Sequence, residues 1–217
     1  MKQRHFRLTG LAAAALLAVS AAHADNLNLT GTQAYAGDGK LALAFVQPAA
    51  VTGTAGLFNV QNLTTGSSFL AYCIEQNQSA GSGSQSYSAA AYAAPTGVQE
   101  LYDRFYDTSL KTQQGAVAFQ LALWQLTGGQ SVSSYSLVID PFTGQSIGAQ
   151  SLASSWISAV NADNNPFAQH YSLIAWSSAS SQDVLQAVPV PEPETYALML
   201  VGLGAIGLVA RRRQQSR

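Results

Sequence analysis

Along the chain, apolar and polar positions alternate, shift to a helical period, and then alternate again. In "KLALAFVQ" (40–47) and "AGLFNVQNL" (55–63) apolar residues alternate with polar or small ones, and "SSFLAYCIE" (67–75) is apolar, aromatic and β-branched. Each predicts a strand. Gly53, Gly56 and Gly66 punctuate them. The period then changes. "GVQELYDRFYDTSL" (97–110) sets Val98, Leu101, Tyr102 and Phe105 on one helical side. "QQGAVAFQLALWQL" (113–126) places Val117, Leu121 and Trp124 at i, i+4 and i+7, and Thr127-Gly128-Gly129 stops it. A third helix is predicted over "SLASSWISAV" (151–160), where Leu152, Trp156 and Val160 stand four apart. "YSLIAWSS" (171–178) and "QDVLQAV" (182–188) return to strand character. "NQSAGSGSQS" (77–86) reads as a flexible polar loop, and "NADNN" (161–165) as a turn after the third helix. Strands, a helical middle and further strands predict an α+β fold, a β-rich domain with a helical middle segment.

The two ends have a different composition. Lys2, Arg4 and Arg7 precede the apolar "LAAAALLAVSAA", and Ala-His-Ala at 22–24 supplies small residues for signal peptidase, which predicts a signal peptide over 1–24. At the other end Pro191-Glu192-Pro193 leads into an apolar run from Tyr196 to Ala210, followed by Arg211, Arg212 and Arg213. Prolines block a helix before the run, and arginines stay on the cytoplasmic side. This stretch resembles the PEP-CTERM sorting signal of exopolysaccharide-producing Gram-negative bacteria. The resemblance implies an exosortase-type membrane protease that processes the chain near Pro-Glu-Pro. It also implies export, a transient inner-membrane anchor formed by the C-terminal hydrophobic helix, and a final place on the cell surface or in the extracellular matrix. The expected organisation is therefore a signal peptide (1–24), one ectodomain (25–189) and a sorting segment (190–217).

The ectodomain is sparsely charged and acidic. Lys40, Arg104 and Lys111 stand against nine carboxylates, a net charge of −6. Nucleic acid is not an expected partner, because phosphate calls for basic patches. Past the signal peptide there is one histidine, His170, and in the whole chain one cysteine, Cys73. That pair cannot build a thiol–imidazole zinc site, no acid–base constellation appears, and His170 reads as a surface residue. No metal, no cofactor and no enzymatic activity are expected.

A lone thiol in an exported chain needs a reason, since exported cysteines normally pair. One solution consumes the thiol inside the fold by attack on a glutamine carboxamide, leaving an internal thioester. Tyr72 precedes Cys73 on an apolar strand, and Gln120 interrupts an otherwise apolar helix between Phe119 and Leu121, with Trp124 one turn on. Gln76 is nearer in sequence, but three residues along a strand it points to the opposite face. Tyr72-Cys73-Ile74 followed by Gln120-Leu121-Ala122-Leu123-Trp124 resembles the thioester domains of Gram-positive surface adhesins. That resemblance implies a thioester-domain-like fold, a Cys73–Gln120 bond, pocket walls from Tyr72, Phe119 and Trp124, and covalent capture of a surface nucleophile. The alternative is a structural component of an exopolysaccharide layer, with Cys73 an inert buried thiol and Gln120 a polar link between helix and sheet.

Overall fold

The computed structural model describes residues 24–30, 36–47, 53–76, 78–135, 137–162 and 168–191, together with 199, 201–203 and 205–206 of the tail. Among the described residues of the domain, eight strands and three α-helices follow one another as β1 (Ala24–Leu29), β2 (Leu43–Gln47), β3 (Gly53–Asn62), β4 (Ser68–Cys73), β5 (Ser84–Ala91), α1 (Thr96–Ser109), α2 (Gln113–Leu126), β6 (Leu137–Ile139), α3 (Ala149–Ala162), β7 (Tyr171–Ser177) and β8 (Val184–Pro189). The architecture is α+β, with the three helices inserted in the middle of the chain.

Six of the strands close on themselves. β1 pairs with β5, β5 with β7, β7 with β8, β8 with β4, β4 with β3, and β3 returns to β1, every pair antiparallel. Closure removes the free edges that an open sheet would expose. β3 is long enough to serve two neighbours on one side. Val60 to Asn62 pair with β1, whereas Gly53 to Gly56 pair with β2, which in turn carries β6 outside the ring. The handover needs Gly56. A Cβ there would stand 2.3 Å from the Ala42 carbonyl oxygen and 2.8 Å from the Leu43 Cα.

The sequence places both strand groups and all three helices within a few residues of their observed bounds. Three strands lie outside the expectation: β1, β5 and the three-residue β6. β5 begins inside the stretch read as a loop, because its residues are small and polar and only Tyr87 is buried. β1 starts at Ala24, so that a chain cut after this residue keeps nearly the whole strand.

Helix α2 is apolar on all sides and accordingly sits at the centre, buried from Gly115 through Trp124. It packs between α1 and α3 and against β3. Its first turn is capped by Thr112, whose hydroxyl accepts the Gly115 amide at 3.0 Å. It ends as predicted at Thr127-Gly128-Gly129, with Gly128 at φ +91 and the Gly129 amide bonded back to the Trp124 carbonyl at 2.7 Å. Phe119 is the hub of the aromatic core, with ring centroids 4.6 Å from Tyr72 and 4.9 Å from Tyr102. Among the described residues no helix is long and apolar enough to cross a membrane. The expected sorting helix over 196–210 lies mostly outside them, as do the signal peptide up to residue 23, Glu192, Pro193, the three arginines Arg211, Arg212 and Arg213, and most of the 161–165 turn.

Candidate functional site

Strand β4 delivers two different side chains to its two faces. Tyr72 points to the helices, where its hydroxyl lies 2.8 Å from the Ser109 hydroxyl and its ring meets Phe119. Cys73, the next residue, therefore occupies the opposite face. It is the last residue of the strand and 1% exposed.

The position of Cys73 coincides with a break in the sheet. β3 pairs with β4 only as far as Leu57 opposite Tyr72, and beyond it Gly53 to Gly56 pair solely on the other edge, with β2. On the other edge β8 continues, with Val184 opposite Cys73 and the Ile74 amide donating to the Asp183 carbonyl at 3.0 Å. The Cys73 N–H and C=O thus face an edge that has lost its strand. Gln120 fills that gap. Its Oε1 accepts the Cys73 amide at 2.9 Å and its Nε2 donates to the Cys73 carbonyl at 2.8 Å. The side-chain amide stands in for a missing peptide, and Gln120 is 0% exposed. A buried amide in the middle of an apolar helix is thereby satisfied at both ends, which explains why this sequence tolerates it.

Two features disfavour the charged form of Cys73. Burial pushes the Cys73 thiol well above its ordinary range, and the Glu75 carboxylate adds to the shift. The thiolate, which is the oxidisable and nucleophilic form, is suppressed. Tyr87 and Tyr102 lie within electrostatic reach of the same sulfur. The Tyr87 hydroxyl donates to the Ser181 hydroxyl at 2.8 Å and is buried.

The structure brings Cys73, Gln120, Tyr72 and Phe119 together. Trp124, one turn after Gln120, is buried and leans over Tyr135 at 6.3 Å. Gln76 turns to the far side of the α2–β6 connection, where its amide bonds the Tyr135 hydroxyl and accepts the Gln130 amide. His170 is exposed at the foot of β7, with its backbone amide bonded to Asp103 at 2.9 Å, so it is not assembled with the buried Cys73. Among the described residues no cluster of His, Cys, Asp or Glu could hold a metal.

Sequence reasoning missed a groove of about 350 Å³ next to the site. Its walls are Ile74, Glu75, Gln76 and Gln78 on one side and Thr127, Gly128 and Gly129 on the other. The signal that could have found it is the closeness of Glu75 to Cys73 in sequence, two residues past the end of β4. Cys73 and this groove also lie far from where the chain leaves the domain. Cys73 is level with Val184 at the start of β8, whereas the chain exits past Pro189, opposite Tyr171.

The exit point is where the chain can be recognised. Residues 189–213 match the PEP-CTERM protein-sorting motif. The chain carries a sorting signal that begins as the barrel ends. No curated protein matches the chain. Among solved structures it is similar to the N-terminal domain of the Streptococcus pyogenes pilus tip adhesin Cpa, at 16% identity and a TM-score of 0.42 over 69% of this chain and 93% of that one. It is also similar to the N-terminal thioester domain of a Clostridium perfringens surface protein, at 11% identity and a TM-score of 0.41 over 68% and 98% of the two chains. The thioester domain of the Enterococcus faecium TIE86 protein shares 13% identity and gives a TM-score of 0.40 over 76% of this chain and 77% of that one.

Proposed function

We propose that this chain is an exported surface protein that captures a partner covalently through an internal thioester between Cys73 and Gln120. The observation that carries the reading is the two-point clamp of the Gln120 carboxamide on the Cys73 backbone. Bond formation joins the Cys73 Sγ to the Gln120 Cδ. The C–N bond breaks, and the amide nitrogen leaves as ammonia with the thiol proton. During attack negative charge gathers on Oε1, where the Cys73 N–H already donates at 2.9 Å. A preorganised donor at that oxygen is what acyl transfer needs. Tyr72 and Phe119 pack the helix side of the strand and exclude water from it. Capture of a surface nucleophile reopens the bond once, which makes the protein a single-use reagent and not an enzyme. The sorting motif at 189–213 supports delivery to the surface, with signal peptidase acting after Ala24, a transient inner-membrane anchor, and an exosortase-type protease acting near Pro191.

A second reading rests on the same contacts. Gln120 alone satisfies the Cys73 backbone, so an inert thiol in a matrix component, one embedded in exopolysaccharide, needs no covalent bond. Intact mass separates the two. The thioester protein is lighter by one ammonia, roughly 17 Da, and regains a titratable thiol when an amine attacks. A full-length mass and a free thiol on simple denaturation leave the matrix reading standing.

A further inference from the structure

The clamp accounts for Gln120 but leaves Glu75 unexplained. Glu75 lines the groove that opens where β4 ends, and its Oε2 is sealed from solvent without a hydrogen-bond partner. Among the described residues, Trp124 Nε1 is the one other buried side-chain polar atom in this condition. An unpaired buried oxygen costs about 1–3 kcal/mol, and more when charged. The carboxylate brings no structural return for that cost. Among the described residues it has no ion-pair partner, and its field works against the Cys73 thiolate. A group so placed has the attributes of a proton acceptor waiting for a donor.

The surroundings fit such a donor arriving through the groove. Thr127 Oγ1, which donates to the Leu123 carbonyl at 2.9 Å, also approaches the Ile74 carbonyl at 3.3 Å, so the end of α2 meets the residue after Cys73. The groove is lined by both segments. The Glu75 backbone is fixed as well, since its carbonyl accepts the Gln182 side-chain amide. The remaining lining is polar or glycine, suited to a small hydrogen-bonding group and not to an apolar anchor.

We propose that Glu75 is the proton-transfer group of this site and that the groove lined by Ile74, Glu75, Gln76, Gln78 and Thr127–Gly129 receives the attacking nucleophile, an N–H or O–H group. The inference rests on the thioester reading above. With an amine, the nitrogen lone pair attacks the Gln120 Cδ and a new C–N bond forms. The C–S bond breaks and its electron pair goes to the Cys73 Sγ. The Glu75 carboxylate takes the proton released from the nitrogen and passes it to that sulfur. The products are an amide at Gln120 and a neutral Cys73 thiol, and Glu75 ends as it began. Without the relay, a thiolate would be left beside a carboxylate in a buried site.

The test uses the protein recovered from the cell surface, its E75Q variant and methylamine. Intact mass is read first, and then the rate at which one methylamine is gained between pH 5 and 9. E75Q keeps the volume and removes the base. The expected result is an unchanged ammonia deficit in E75Q, with capture slowed on the order of a hundredfold. E75D, which keeps the carboxylate, restores part of the rate. An E75Q protein with the full deficit and the wild-type rate and pH profile overturns the role of Glu75 and spares the thioester. A wild-type protein with no deficit overturns both.

Discussion

Truncating each half of the Cys73–Gln120 pair separates what the hydrogen bonds do from what a covalent bond would do. Gln120→Ala removes the acceptor of the Cys73 amide and the donor to the Cys73 carbonyl, and leaves both buried backbone groups unpaired. At about 1–3 kcal/mol for each stranded group, the loss is about 2–6 kcal/mol. Cys73→Ala leaves those backbone bonds in place and deletes one sulfur, which costs about 1 kcal/mol in a core. A thioester changes both numbers, since either truncation removes the cross-link, and forming it trades the Nε2 donor bond for the Sγ–Cδ bond. It would join residues 47 apart in sequence, and a cross-link closing such a loop is worth ~4 kcal/mol through the unfolded chain. Cys73→Ala should then cost about 5 kcal/mol. Urea unfolding of wild type and both variants, followed by tryptophan fluorescence, reads all three values. A Gln120→Ala loss below about 0.5 kcal/mol would refute the clamp itself. A Cys73→Ala loss near 1 kcal/mol beside a large Gln120→Ala loss would keep the clamp and remove the cross-link.

Other outcomes follow from separate parts of the structure. Gly56→Ala drives a methyl group against the Ala42 carbonyl and the Leu43 backbone, which cannot move aside as a side chain could, so it should lose stability at the upper end of ~1–3 kcal/mol in the same urea assay. Burial, and to a lesser degree the Asp107 carboxylate, raises Tyr106 from 10.0 to about 12. Burial likewise raises Tyr135 to about 12 against the opposing Gln76 bond. Because the folded state holds these protons more tightly, their stabilisation is complete below about pH 10 and is lost as the pH rises through about 12. Stability measured from pH 9 to 12 should fall steadily, and a flat profile would contradict the burial of these phenols. Terminal sequencing of surface-released protein should give a start at Asp25 and an end near Pro191, and a retained Arg211-Arg212-Arg213 tail would contradict sorting.

The parts of this fold that were legible in the sequence are those set by local periodicity. Val117, Leu121 and Trp124 announce α2, and the Thr127-Gly128-Gly129 stop is a local signal too. β5 was hidden because Ser84, Gln85, Ser86 and Ser88 carry the composition of a loop, and only Tyr87 faces the core. Closure of the ring rests on β1 meeting β3, some thirty residues on, which no local pattern encodes. The site divides in the same way. Cys73 and Gln120 could be picked out because each is out of place in its own element. The clamp between them could not, because it depends on the β3–β4 pairing stopping at Leu57 and Tyr72, one residue short of Cys73. Glu75 lies past the end of β4, where strand alternation no longer tells its direction, and its orphaned oxygen is visible only once the chain is folded.

The central claim is a bond between two residues, and the few basic residues of the ectodomain let it be read directly. Trypsin cuts after Lys40, Arg104 and Lys111, so Cys73 falls in peptide 41–104 and Gln120 in the peptide that begins at Thr112. Digestion of the surface protein, cold and slightly acidic, followed by mass spectrometry, should find these two peptides joined and lighter by one ammonia. Methylamine added beforehand should separate them. Two unjoined peptides of unmodified mass, from protein never exposed to amine, would contradict the thioester.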